Sequence, residues 1–175
     1  IASAGQQYGA YYSFEPAGMV NEAGVVARIY NVAASAARGL HYYYPNLFAT
    51  EKACDNFVRY AHLYCKRNPI VEVAAYYPET HIVLNGNDFL KHVQPLRDHF
   101  DFAYCSDNQI ADGGLAQFKA LLLLWGNTAE KETWEHILEW VRQGGVLITA
   151  DSIGALRTVE GDTSVNETFR GKDSD

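Results

Sequence analysis

Residues 119–151 read KALLLLWGNTAEKETWEHILEWVRQGGVLITAD, and this stretch decides the fold. Ala120 to Trp125 is a continuous apolar run, which fits a strand buried on both faces. Asn127 or Thr128 then opens a helix that carries Trp134, Ile137, Leu138 and Val141 on one face. Gly144-Gly145 closes that helix, and Val146 to Ala150 predicts a second buried strand. A buried strand, an amphipathic helix and another buried strand in succession imply a parallel pair joined by a crossover.

Working outward, the same alternation extends upstream to about Ile70. Val71 to Tyr76 predicts a strand, and Asn87 caps a helix carrying Phe89, Leu90, Val93, Leu96 and Phe100. Phe102 to Cys105 is a short strand, and Asp107 to Phe118 reads as a turn or short helix. Residues 70–175 therefore predict an open, doubly wound parallel sheet, flavodoxin-like in outline. Residues 1–69 form a separate block of two strand–helix units. Tyr11-Tyr12-Ser13-Phe14 is an aromatic strand ended by Glu15-Pro16-Ala17-Gly18. Asn21 caps a helix with Val25, Val26, Ile29, Val32, Ala33 and Ala36 at helical spacing, and Gly39 is expected to end it. Leu40 to Tyr44 is the second strand. Thr50 caps the next helix, whose expected apolar stripe is Cys54, Phe57, Val58, Ala61 and Cys65.

Composition narrows the function. The 175 residues are 48% hydrophobic and 20% charged, an ordinary globular balance. The net charge is −7, without the basic stripe that phosphate-backbone binding needs, so no nucleic-acid partner is expected. No apolar run approaches the ~20 residues of a membrane span. Twelve of the aromatic residues are tyrosine, an excess that suits stacking on sugars and other flat polar ligands. Cys54, Cys65 and Cys105 show no metal-binding spacing and no even-numbered disulfide framework, and they lean toward a reducing compartment. Ile1 at one end and a polar stretch at the other read as a segment of a longer polypeptide.

Functional side chains of parallel α/β folds gather at the carboxyl ends of strands. Four places qualify: Glu15, the Tyr42-Tyr43-Tyr44-Pro45-Asn46 stretch, the Tyr77-Pro78-Glu79-Thr80-His81 loop, and Asp151-Ser152. Glu15, among aromatic residues, suits nucleophilic attack on an anomeric carbon, although on position alone a solvated loop carboxylate is the plainer account. Asn21-Glu22 is explained by helix capping. Ala150-Asp151-Ser152-Ile153-Gly154 loosely resembles a nucleophile elbow, but Ala replaces its first Gly and no Asp–His pair can be placed, so Ser152 reads as a helix cap. His62, His92, His99 and His136 fall on predicted helices without metal-binding spacing and read as surface or interface residues.

The order of these motifs resembles family 42 β-galactosidases. The stretch Phe14-Glu15-Pro16-Ala17-Gly18-Met19-Val20-Asn21, a helix, and then Ala33-Ala34-Ser35-Ala36-Ala37-Arg38-Gly39-Leu40-His41-Tyr42-Tyr43 looks like the end of that family's catalytic barrel. Lys119 to Leu124, Trp134 to Trp140 and Val141 to Ile148 look like its accessory domain, which resembles class I glutamine amidotransferases without their catalytic cysteine. The resemblance implies that 1–69 holds the last two βα units of a (β/α)8 barrel and 70–175 an accessory flavodoxin-like domain. It implies Glu15 as catalytic nucleophile, with Tyr44, Asn46 and His41 lining a carbohydrate pocket. It implies no metal or organic cofactor, self-association through the accessory domain, and a general acid/base outside this segment. Two other readings stay open: a non-catalytic assembly module, and an amidotransferase-like or serine hydrolase using Ser152.

Overall fold

The computed structural model describes residues 1–14, 21–40, 49–63 and 70–170. The chain divides into two compact units, Ile1–Ile70 and Val71–Asp175.

The first unit contains α1 (Ala2–Gln7), β1 (Ser13–Phe14), α2 (Glu22–Ala34), β2 (Gly39–Leu40) and α3 (Glu51–Tyr60), followed by a short 3-10 turn. β1 and β2 are parallel, with Ser13 opposite Gly39 and Phe14 opposite Leu40. Both long helices begin on side-chain caps. Asn21 Oδ1 accepts from Gly24 N at 2.9 Å, and Thr50 Oγ1 accepts from Ala53 N at 3.2 Å. The helices meet through Val25, Ile29 and Ala53, with Phe57 and Tyr60 packed against them.

Two expectations for this unit are corrected. Gly39 does not end α2. The helix stops at Ser35 and Ala36, with Ala36 at φ +52°. Ala37 N donates to Val32 O and Ala36 N to Ala33 O, which is a Schellman ending built on alanine. Gly39 instead lies inside β2, where a Cβ would come within 2.5 Å of the Tyr11 hydroxyl and 2.9 Å of Ser13 Cβ. It is needed for close approach, not for a cap. The α3 stripe is also displaced. Ala53, Phe57 and Tyr60 turn inward, while Cys54 is exposed and Val58 is 73% exposed. Cys65 lies outside the described residues.

The second unit runs β3 (Val73–Tyr77), α4 (Glu79–Asn85), α5 (Phe89–Val93), β4 (Ala103–Ser106), α6 (Asp107–Ala111), β5 (Ala120–Leu123), β6 (Thr128–Ala129), α7 (Lys131–Arg142), β7 (Val146–Thr149), β8 (Arg157–Thr158) and α8 (Val165–Arg170). Its main sheet is parallel in the order β4-β3-β5-β7, and β6 and β8 form a parallel pair of their own. β5 is interior, as its leucine run predicts. Leu121, Leu122 and Leu123 are all buried.

Alternation along the strands sorts the core into two layers. Ala74, Tyr76, Leu121 and Leu123 point to one face, against Ile110 of α6 and Trp134 and Ile137 of α7. Ala75 points to the other, with Phe89 and Val93 of α5 and Phe102. Helices thus cover both faces of the sheet centre.

The structure departs from expectation at its shorter elements. The segment after Tyr77 is α4 rather than a loop. Thr128-Ala129 pairs with β8, so α7 begins only at Lys131, with Glu130 in the cap position. Leu90 and Phe100, assigned to the buried stripe, are exposed. β7 is an edge strand and is not buried. Leu147 packs inward, while Val146 and Ile148 are 54% and 47% exposed, because among the described residues no helix covers their face.

Candidate functional site

Glu15, His41, Tyr44 and Asn46 lie outside the described residues, so the described structure reaches only the approaches to them. In the first unit these approaches are tied together by hydrogen bonds. Arg38 N donates to Tyr12 O at 2.9 Å, the Tyr12 hydroxyl donates to Ser35 O, and the Tyr11 hydroxyl donates to Arg38 O at 3.4 Å. The segment entering β1 is therefore bound to the turn that enters β2. Asn21-Glu22 is the start of α2. Thr50 Oγ1 donates to Glu22 Oε1 at 3.1 Å and Asn56 Nδ2 to Glu22 O at 3.3 Å, so Glu22 joins α2 to α3. A bond from its own backbone N–H, then that from the Thr50 hydroxyl, holds the Glu22 carboxyl below its ordinary value.

At the carboxyl edge of the second unit's sheet, Asp107 is the organising group. It takes the first position of α6, directly after β4. The Tyr76 hydroxyl donates to Oδ1, and Thr80 N and Oγ1 donate to Oδ2 at 2.8 and 2.7 Å. Asn108 Nδ2 adds a bond to Glu79 Oε2 at 3.1 Å. The starts of α4 and α6 are thus joined across β3 and β4. Ser106 and Gln109 form a reciprocal capping box on α6. Next to this cluster the Cys105 thiol is pushed up to about 12, by burial first and then by the Asp107 charge. It stays protonated and is not a nucleophile at neutral pH. Burial, then Asp107, pushes the Tyr76 phenol well above its ordinary value.

A crevice of about 320 Å³ opens at the ends of β5 and β7 and at the start of α4. Trp125 and Asn127 from the segment after β5, His81 from α4, His92 from α5, and Ser152 from the turn after β7 line it. The His81 ring meets the Trp125 indole edge-on at 4.7 Å, and the His92 ring lies nearly parallel to it at 6.2 Å. Asn85 Nδ2 lies 3.3 Å from His81 Nδ1, a hydrogen bond that the neutral imidazole with its proton on Nε2 can accept. Burial, then the Arg157 charge, lowers the His81 pKa, which favours the same neutral form. Gly126 has φ +82°, and a Cβ there would lie 2.7 Å from Pro78 Cγ, so the backbone presses against the start of α4.

Of the four strand ends chosen from the amino-acid sequence, the structure brings Ser152 and the end of the Tyr77–His81 stretch to this one crevice. Ser152 is inside the short turn Asp151–Ile153, whose cap position is Ala150, so it is not the cap expected of it. His92 is on the surface as expected, yet its ring covers Trp125. Those four strand ends omit that of β5. The same rule applied there points to Trp125-Gly126-Asn127. A larger cleft, about 560 Å³, lies between the flanks of α7 and α8, with Thr158 at the end of β8 and Asp162 also in its lining. Among the described residues, no group of three or more His, Cys, Asp or Glu side chains could hold a metal ion, and no helix is long and apolar enough to cross a membrane. No protein-family model matches the chain, and no curated protein matches it.

Proposed function

We propose that the chain is part of a retaining glycoside hydrolase of β-galactosidase type. Residues 1–69 contribute the last two βα units of its (β/α)8 barrel, and residues 70–175 an accessory flavodoxin-like domain. One observation carries the reading: β1 and β2 are parallel neighbours joined by α2, and Glu15 is the residue that follows β1 in the sequence. Adjacent parallel strands with an intervening helix are the repeating unit of such a barrel, and its catalytic groups follow the strand ends. The order β4-β3-β5-β7 supports the accessory-domain assignment, since within its own unit it reads 2-1-3-4, the flavodoxin-like order.

In this reading the Glu15 carboxylate attacks the anomeric carbon while a second carboxylic acid protonates the departing oxygen. The glycosyl-enzyme ester is then hydrolysed by a water that the second group, now ionised, deprotonates. The two carboxyls stand ~5–5.5 Å apart in retaining enzymes. The second is contributed by another barrel strand, so these 175 residues alone are expected to be inactive. The test is made in the polypeptide that carries the remaining barrel strands. Glu15→Gln abolishes turnover of aryl glycosides without altering the fold. Azide restores partial turnover to Glu15→Gly and yields a glycosyl azide of inverted configuration. Substantial turnover by Glu15→Gln removes Glu15 from the role.

A second reading, a non-catalytic assembly module, is favoured by Val146 and Ile148 of β7, which are exposed among the described residues. It expects self-association in solution, measured by sedimentation equilibrium, that Ile148→Lys abolishes. A monomeric parent protein rejects it.

A further inference from the structure

We propose that the crevice at the carboxyl ends of β5 and β7 is a binding site for an uncharged polyhydroxylated ring, a neutral monosaccharide or a cyclic polyol of that size. The inference goes beyond the glycosidase reading. The crevice lies wholly within the second unit and requires neither Glu15 nor a barrel.

Topology places the opening. From β3 the chain crosses to β4 on one side of the sheet, and from β5 it crosses to β7 on the other. The segments after β3 and β5 therefore diverge, and open α/β sheets bind ligands in the crevice that such a divergence leaves. The lining then selects the ligand. Trp125 offers a half-buried aromatic surface, and the rings of His81 and His92 fix its orientation from two directions. A sugar ring packs its C–H face on indole surface, here the part of Trp125 that the stacked His92 ring does not take. Around it stand groups that exchange hydrogen bonds without carrying a fixed charge: the Ser152 hydroxyl, the Asn127 amide and two imidazoles. The Asn127 amide is already oriented, since its Nδ2 donates to Ala155 O at 2.9 Å and its Oδ1 accepts from the Thr128 hydroxyl at 3.3 Å.

Among the described residues, the lining contains no carboxylate, ammonium or guanidinium group. A phosphate, a carboxylate or an amine bound here would give up water with no counter-charge in the lining itself, which is costly, the Arg157 charge reaching His81 only from outside that lining. Leu124 and Ile153 complete the wall with apolar surface. The volume of about 320 Å³ sits at the lower end of small-molecule pockets and suits one ring better than a nucleotide or an oligosaccharide.

The experiment follows the three tryptophan indole N–H resonances by two-dimensional NMR during titration with galactose, glucose and myo-inositol, and separately with galacturonate and glucosamine. Saturable movement of the Trp125 signal is expected with at least one neutral ring, with little or none from the charged analogues. Trp134, whose Nε1 donates to Arg157 O at 2.9 Å inside the core, should stay in place. Trp125→Ala, which lacks the Trp125 signal and is therefore titrated by isothermal calorimetry, should weaken binding about tenfold. Because that change also removes packing, Ser152→Ala at an exposed position serves as the second variant, weakening binding several-fold with an unchanged melting temperature. Glu15→Gln should leave the Trp125 response intact, which separates this site from the glycosidase pocket. No saturable shift with any neutral ring overturns the proposal. So does an equal response to the charged analogues, and so does binding that neither crevice variant weakens.

Discussion

Two helix endings in this protein make the same hydrogen bonds with different residues. α7 closes with Gly144 at φ +106°, Gly145 N donating to Trp140 O and Gly144 N to Val141 O. α2 closes in the same pattern with Ala36 in the left-handed position. An L-residue there costs roughly 1–2 kcal/mol that glycine avoids. Ala36→Gly should therefore stabilise the protein by about 1 kcal/mol and Gly144→Ala destabilise it by about as much, both read from urea midpoints at constant slope. The expected Gly39 cap fails for a reason specific to that residue. Glycine marks either a left-handed turn or a close approach, and only the position of Tyr11 distinguishes the two. Titration is also a residue-scale matter. Burial raises the Cys105 thiol from an ordinary 9.0 to about 12, and it raises the Tyr76 phenol as well. Above pH 9 the unfolded chain loses protons that the folded chain retains, so the stability these groups contribute is fully present below about pH 9 and is lost as pH rises toward 12. Alkaline titration of the urea midpoint should show this fall, reduced in Cys105→Ala. For His81 the sign is opposite. Its folded pKa lies below 6.5, so the unfolded chain takes up the proton first and acidification below pH 6.5 costs stability. A thiol reagent should label exposed Cys54 in the native protein and leave Cys105 unmodified until unfolding.

Between elements, Asp107 makes a polar joint of three accepted hydrogen bonds. It accepts from a buried phenol, a backbone N–H and a hydroxyl, and so holds α4 and α6 to the ends of β3 and β4. Asp107→Ala should cost about 2–3 kcal/mol, because it removes bonds to a charged acceptor and leaves the Tyr76 hydroxyl unsatisfied. Asp107→Asn, which keeps an acceptor, should cost less, and equal losses in the two variants would contradict that role. β5 and α7 are legible in the sequence because their patterns are long: a leucine run, and an apolar face bounded by Gly144-Gly145. β6, β8 and α4 are not legible. A two-residue strand such as Thr128-Ala129 exists only because Arg157-Thr158 lies beside it, a pairing between residues 29 positions apart that no local pattern records. The α3 stripe shifts for a related reason. Cys54 and Ala53 are both small, and which one faces α2 is decided by the partners Val25 and Ile29.

Each unit of the molecule has its own gradient of protection. In the second unit, β3 and β5 are flanked on both sides by strands and carry the buried runs Ala74–Tyr76 and Leu121–Leu123. Native-state hydrogen exchange should find its slowest amides there, intermediate rates in β4 and β7, and faster exchange in the two-residue β6–β8 pair. Equal protection of β7 and β5 would show that the edge is covered in solution. The candidate site divides along the same line as the chain. The residues expected to bind and cleave a sugar, Glu15, His41, Tyr44 and Asn46, lie outside the described residues. The crevice in the second unit is half legible in the sequence, since strand-end logic reaches His81 and Ser152. His92 comes to Trp125 only because α5 packs on the face of the sheet that carries Ala75.

The crevice is assembled from segments that each hang from a separate place on the sheet: α4 behind β3, Trp125-Gly126-Asn127 behind β5, and Asp151–Ile153 behind β7. The hydrogen-bond ladder beneath them has a register set by Ala74, Leu121 and Leu147, none of which lines the opening. At exposed Ser152 selectivity is separable from foldability, whereas Leu124, Trp125 and Ile153 line the crevice and also pack into the core. A change at Ser152 alters what the crevice accepts without asking the sheet to adjust, so diversification of ligand preference by single substitutions meets little resistance from the scaffold. Gly126 is constrained more tightly still, because any side chain there collides with Pro78, and a library built on this crevice should vary Ser152 and hold Gly126 and the packed residues Leu124, Trp125 and Ile153 constant.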